Sequence, residues 1–405
     1  MTAALPLCFV AACLAQTEHP GTSNQETTLR VALYPYVPDA GEDGFESMVA
    51  RIETEFETAN PGIRVEVVVP SYSTLDVYNP EAVLTALSQG TFDVIAIDTV
   101  ILPSLADTGL LAPLDHGMLA PSTHEAAVQA STHHGQLFGV PYILCGNFVI
   151  SRSKEVASAA SADELVTALE AMPEHTINIV GDFTGSWTVP ALYLDAFVDT
   201  YGAGSVAQPI PVTVDPHVMK ALASVVDQAD MNGRNPCREG VFDDDFAAPL
   251  VFALGYADSL FGFSERLHLV LKNDVVGDDI FVGSAPLGHG EHPVLYTDSF
   301  VFRQGMSTQV REAAEAFVTY MNDPSTVEWF MFSDDAKTET RPTPVPRYLL
   351  PARTDISSRP RFSQDPFYPT LFSEMSNAEP FPAEGMYMLR DKLRDAVNEA
   401  LANTK

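Results

Sequence analysis

The sequence predicts a two-lobed α/β protein. Three observations carry this: a chain of 405 residues, long for a single hydrophobic core; a strand–helix–strand alternation near its start; and a second α/β region beginning near Asn147. Apolar residues make up 46% and charged residues 19%, a globular balance that gives each lobe material for a core.

The first lobe reads in order. Arg30 to Tyr34 is a short apolar strand, and Phe45, Met48, Val49, Ile52 and Phe56 repeat at helical spacing. Asn60-Pro61-Gly62 punctuates the end of that helix, and Ile63 to Val69 forms the next strand. Asp93 to Ile97 is a further strand that ends in Asp98. In open α/β sheets ligands gather beyond the carboxyl ends of strands, so Asp98 is placed to touch one.

In the second region Ser161 and Glu164 make a capping box, followed by Leu165, Leu169 and Met172 on one helical face. Thr176 to Val180 is its next strand. Helices are expected at Val310 to Met321, stopped by Pro324, and at Met386 to Leu401. Thr338 to Pro382 is proline-rich and is expected to wrap the surface as ordered irregular structure, anchored by Tyr348, Leu349, Leu350, Phe367 and Phe372.

At the N-terminus, Leu5 to Ala15 is apolar and ends in small residues, so residues 1–16 read as an export signal, though no Lys or Arg precedes Arg30. Val10-Ala11-Ala12-Cys13 resembles a lipobox, which leaves a lipid anchor at Cys13 and a freely secreted or periplasmic form both open. Residues 17–28 are polar and read as a flexible tether. No later stretch is long and apolar enough to span a bilayer.

The formal charge is −32, a field that repels nucleic acid and anionic headgroups. Beyond the signal lie Cys145 and Cys237, whose contexts differ, and both are expected to be free thiols. His133-His134 and His289 with His292 lack a third ligand at recognisable zinc spacing, so exposed histidines are expected. Asp243-Asp244-Asp245 lacks the alternating calcium-loop pattern. No metal or cofactor is expected.

The most informative block is Phe138-Gly139-Val140-Pro141-Tyr142-Ile143-Leu144-Cys145-Gly146-Asn147. A cysteine beside apolar residues at a strand edge is ordinarily a small buried hydrophobe. The block also resembles the stretch of type II periplasmic solute-binding proteins in which the chain crosses between lobes, where a thiol would face the ligand cleft.

Pro141 to Asn147 also resembles the Pro-x-Ile-Leu-Cys-x-Asn context of the thiaminase I (thiamine pyridinylase) family. Asp93 to Leu111, with Asp107-x-Gly109-x-Leu111, falls on a second family block. Gly255-Tyr256-Ala257-Asp258-Ser259 falls on Gly-Tyr-Ser-Glu-Ser, Leu295-Tyr296-Thr297-Asp298 on an aromatic-Tyr-Ser-Asp stretch, and Tyr348 to Arg353 on a late signature.

The resemblance implies a periplasmic-binding-protein-like (type II) fold with an interlobe cleft. Its lobes would comprise residues 29–146 with 299–335, and 147–298 with 336–405. It further implies a monomeric transferase whose partners are thiamine and a small nucleophilic base. Cys145 would be the nucleophile, and Asp258, one methylene shorter than the family's glutamate, the general base. Glu265 is a second candidate, with a solvated surface acid as its bland reading.

Thiamine carries a cationic thiazolium, which suits the acids Asp98 and Asp298 and the aromatic faces of Tyr34, Tyr36, Tyr256 and Tyr296. Trp187 in a Gly-Ser-Trp loop is a further candidate for the pocket wall. The competing reading is a non-catalytic receptor for thiamine or its pyrimidine. Cys145 argues against it, since capture needs no thiol.

Overall fold

The computed structural model describes residues 26–172, 177–206, 210–231, 233–244, 246–273, 279–290 and 292–403. The expected signal (1–16), the anchor at Cys13 and nearly all of the tether lie outside them. The last two tether residues, Thr27 and Thr28, open the first strand.

The strands are β1 (Thr27–Ala32), β2 (Ile63–Val68), β3 (Val94–Asp98), the hairpin β4 (Thr132–His133) and β5 (Gln136–Leu137), β6 (Gly139–Cys145), β7 (Asn147–Ser151), β8 (Ile179–Val180), β9 (Ser259–Phe263), β10 (Phe281–Ser284), β11 (Val294–Phe302), β12 (Leu350–Pro351) and β13 (Glu379–Pro380). One sheet has the order β12-β6-β11-β3-β1-β2, with β13 beside β11, and a second has the order β10-β7-β9-β8. β1 pairs parallel with β2 and β3, as a βαβ start requires, and β11 then runs antiparallel between β3 and β6.

β3 and β6 carry near-continuous apolar runs because helices cover the first sheet. Met48, Ile52 and Phe56 of the helix Glu46–Ala59 are buried, the face that the sequence spacing marks. That helix lacks a side-chain cap, whereas Asn79 caps Pro80–Gln89 through the N–H groups of Glu81 and Ala82. In the second lobe Ser161 caps Ala162–Glu170, as its capping box foretells.

The chain passes from the first sheet to the second between Cys145, which ends β6, and Asn147, which begins β7. Gly146 sits at that junction because a Cβ there would lie 2.5 Å from the Met375 sulfur. The return falls between β10 and β11, so the expected boundary at 298/299 cuts through the middle of β11, a continuous strand of the first sheet. The tail also serves both lobes: β12 and β13 join the first sheet, whereas Met386–Asn403 packs on the second lobe's helices Thr188–Tyr201 and Pro216–Val226. Within the expected irregular wrap, Tyr368–Glu374 is a helix whose Tyr368 and Leu371 are buried.

Candidate functional site

Between the two sheets lies a cavity of about 960 Å³. The first lobe lines it with Tyr34, Tyr36, Tyr78, Asp98, Tyr296 and Asp298, the second with Trp187, Phe263, Glu265 and Arg266, and the C-terminal helix with Tyr387 and Arg390. Cys145 stands at the junction of the two sets, half-buried and free; Cys237 is also free but buried elsewhere.

Backbone pairing brings these residues together. Tyr296 is the register partner of Cys145 across β11 and β6, and Asp298 is the partner of Asp98 across β11 and β3. Asp98 is also a helix cap, its Oδ1 accepting from the Val100 N–H at 2.9 Å. The Tyr34 and Tyr78 hydroxyls lie 2.5 Å apart. Tyr34 also stabilises ionised Asp298, and Tyr78 does the same for Asp98.

The carboxylates are costly to keep charged. Burial pushes Asp98 up to about 6, against the opposing hydrogen bonds of Val100 and Tyr78. Asp298 is raised further, by burial first and then by the charges of Asp98 and Glu265. The Cys145 thiol is likewise pushed well above its ordinary value, by burial and then by Asp298, Glu265 and Asp98, with Arg266 opposing. The apo site therefore holds a protonated thiol among acids. Such surroundings favour a cation.

Aromatic faces complete the wall. Tyr34, Tyr36 and Tyr78 pack at centroid distances of 5.4–6.3 Å, and Tyr78 meets Trp187 of the other lobe at 5.5 Å. Arg390 lies over the Trp187 ring at 4.7 Å.

Two residues singled out in the sequence do not join this group. Tyr256 is 59% exposed and does not line the cavity. Asp258 is buried just before β9, its backbone bonded to Ile177 and Arg152, and it is absent from the lining. The register explains why: Ser259 pairs with Ser151 at the far end of β7, whereas Phe263 pairs with Asn147 beside Cys145. From Asp258 to Phe263 is roughly 17 Å of strand. Glu265, just past Phe263, is buried and close enough to Cys145 to shift its thiol, contrary to the solvated reading.

A signal for Glu265 was present. Gly262-Phe263-Ser264-Glu265 repeats the Gly-aromatic-Ser-Glu pattern seven residues after the stretch used above, with the glutamate intact. Tyr78 carried no local signal, since only the fold brings it to Tyr34.

Comparison with known proteins agrees with this architecture. Thiaminase-1 of Paenibacillus thiaminolyticus is 24% identical over 98% of this chain and 92% of its own length. The solved structure of Clostridium botulinum thiaminase I in complex with thiamin superposes with a TM-score of 0.72 at 19% identity, covering 92% of this chain and all (100%) of that one. Maltose-bound T. maritima MalE3 gives a TM-score of 0.69 at 17% identity over 94% of this chain and 95% of that one. Residues 52–336 match the profile described as bacterial extracellular solute-binding protein. That match spans more than half of a chain folded as two α/β lobes around a cavity, and this chain belongs to the bacterial extracellular solute-binding protein family.

Proposed function

We propose that this exported chain is a thiaminase I-type transferase, which cleaves thiamine through Cys145 and passes the pyrimidinylmethyl group to an added organic base. The observation that carries this reading is a cavity-facing thiol ringed by three buried carboxylates, Asp98, Asp298 and Glu265. Similarity to Thiaminase-1 along nearly the whole chain supports it.

The thiazolium of thiamine brings a positive charge into the site. It offsets the carboxylates that hold the Cys145 proton in place, so binding itself raises the thiolate fraction. Glu265, rather than Asp258, takes the proton, because Glu265 lines the cavity. The thiolate adds to the pyrimidine ring, and the bond from the bridging methylene to the thiazole nitrogen breaks with its electron pair leaving on the neutral thiazole. The added base then bonds to the methylene, the Cys145 sulfur departs as thiolate, and the proton on Glu265 is returned to it.

Asp98 and Asp298 hold the thiazolium, and Tyr34, Tyr36, Tyr78, Tyr296 and Trp187 supply faces for the two rings. Closure of the lobes excludes water and favours transfer to an amine or pyridine over hydrolysis.

Capture without cleavage is a second reading, favoured by the fold's likeness to a maltose-bound protein. Incubation with thiamine and aniline, followed by mass spectrometry, separates the two. Free thiazole together with the aniline adduct of the pyrimidine supports transfer; intact, protein-bound thiamine supports capture.

A further inference from the structure

We propose that Asp107, His133 and His134 form a binding site for a divalent transition metal of the zinc class, with Glu384 beside the far ring nitrogen of His133. The three residues present ligand atoms all within 4.8 Å of one another. Asp107 ends the helix Leu102–Ala106, and the two histidines lie at the β4–β5 turn. A regular strand sends consecutive side chains to opposite faces. Here His134 has φ 49°, a left-handed conformation, and the two rings lie side by side with centroids 3.9 Å apart.

His133 is buried, unlike the exposed histidine that its sequence suggests. Its Nε2 lies 2.9 Å from Asp107 Oδ1, and His134 Nε2 lies 4.0 Å from the same oxygen. Metal–ligand distances of about 2.0–2.2 Å set tetrahedral ligand atoms roughly 3.4 Å apart. Small rotations of Asp107 and His134, whose side chains are 63% and 78% exposed, bring the three to that spacing around the fixed ring of His133.

The other face of His133 meets a further acid. Glu384 Oε2 lies 3.7 Å from Nδ1. Outer carboxylates beside the far ring nitrogen are a regular part of histidine metal sites, and an ion that displaces the Nε2 proton now shared with Asp107 would draw Glu384 onto Nδ1–H. Among the described residues, Asp107 and Glu384 form ion pairs with these histidines and with no Lys or Arg that would compete with a cation. Three protein ligands leave the outward position to water.

Glu384 precedes Gly385 and the helix Met386–Asn403, whose Tyr387 and Arg390 line the cavity. An ion at this site thus fastens the start of that helix to the first lobe. Sequence spacing hides the third ligand because Asp107 stands 26 residues before His133.

The test uses tag-free protein stripped with chelator and titrated with Zn(II) by calorimetry, with Co(II) absorption as a second readout. One ion per chain is expected, with a higher thermal midpoint when it is bound. His134→Ala and Asp107→Asn, both at exposed positions, lose that binding and the thermal shift while keeping the circular dichroism of the parent. Glu384→Gln weakens it by about 10–100-fold. No saturable binding to the parent, or parental affinity in a His134→Ala/Asp107→Ala double variant, overturns the proposal.

Discussion

Asp98 and Asp298 face each other as register partners across β3 and β11, both buried. Directly opposed like charges destabilise a strand pair. The Tyr34 and Tyr78 hydroxyls relieve this only in part, since both carboxyls remain raised.

The first prediction is a stability effect. Folding raises Asp98 from the ordinary aspartate value to about 6, so the native state binds more protons than the unfolded chain between roughly pH 4 and 6. The stability from this group is present below that window and is lost as pH rises through it. Asp98→Asn retains the cap on Val100 and removes the loss, so unliganded protein at pH 8 gains about 1–3 kcal/mol. Urea unfolding from pH 4 to 8 checks this, and a less stable variant at pH 8 refutes it.

A second expectation concerns binding. Affinity for thiamine rises with pH through about 6 as Asp98 ionises, and is about tenfold weaker at pH 5 than at pH 8. Quenching of Trp187 fluorescence reads it. Asp98→Asn flattens the profile at its low end.

Three variants assign the chemistry. Cys145→Ser binds thiamine but releases no thiazole, and Glu265→Gln lowers kcat by on the order of 10²–10⁴ with little change in KM. Asp258→Asn leaves kcat unchanged. If Asp258→Asn is the inactive variant and Glu265→Gln the active one, the assignment of the base is reversed.

Stability rests elsewhere on Arg347. Its guanidinium is fully buried, pairs with Asp335 at 2.7 and 2.8 Å and donates to the carbonyls of Pro38 and Phe330. Arg347→Ala leaves Asp335 buried and unpaired, a loss of about 3–5 kcal/mol measurable as a lower denaturant midpoint. Because Pro38 belongs to the cavity wall, KM for thiamine also rises.

Much of the fold was legible because its signals are local. Periodicity marks β2 at its correct start, and the capping box at Ser161 marks a helix within one residue. The strand expected at Arg30 begins earlier, at Thr27, since the pairing of Thr27 and Thr28 with Ile63 and Arg64 overrides their polarity. Cys145, Asp98 and Asp298 were legible from strand ends and motif context. Tyr78 was assigned no such role because its partner lies far along the chain, and Glu265 was ranked behind Asp258 because strand pairing alone decides which acid near β9 lines the cavity with the thiol.

With Cys145 closing β6 and Asn147 opening β7, the sulfur occupies the fulcrum of the molecule. Were the angle between the two sheets to change, a sulfur at that crossing would be displaced least, as the pin of a pair of scissors is. On the proposed function, a receptor fold could gain a nucleophile at this place without retuning the distances that opening would alter, since Glu265 and Trp187 of the second lobe would be carried to the sulfur rather than the sulfur to them.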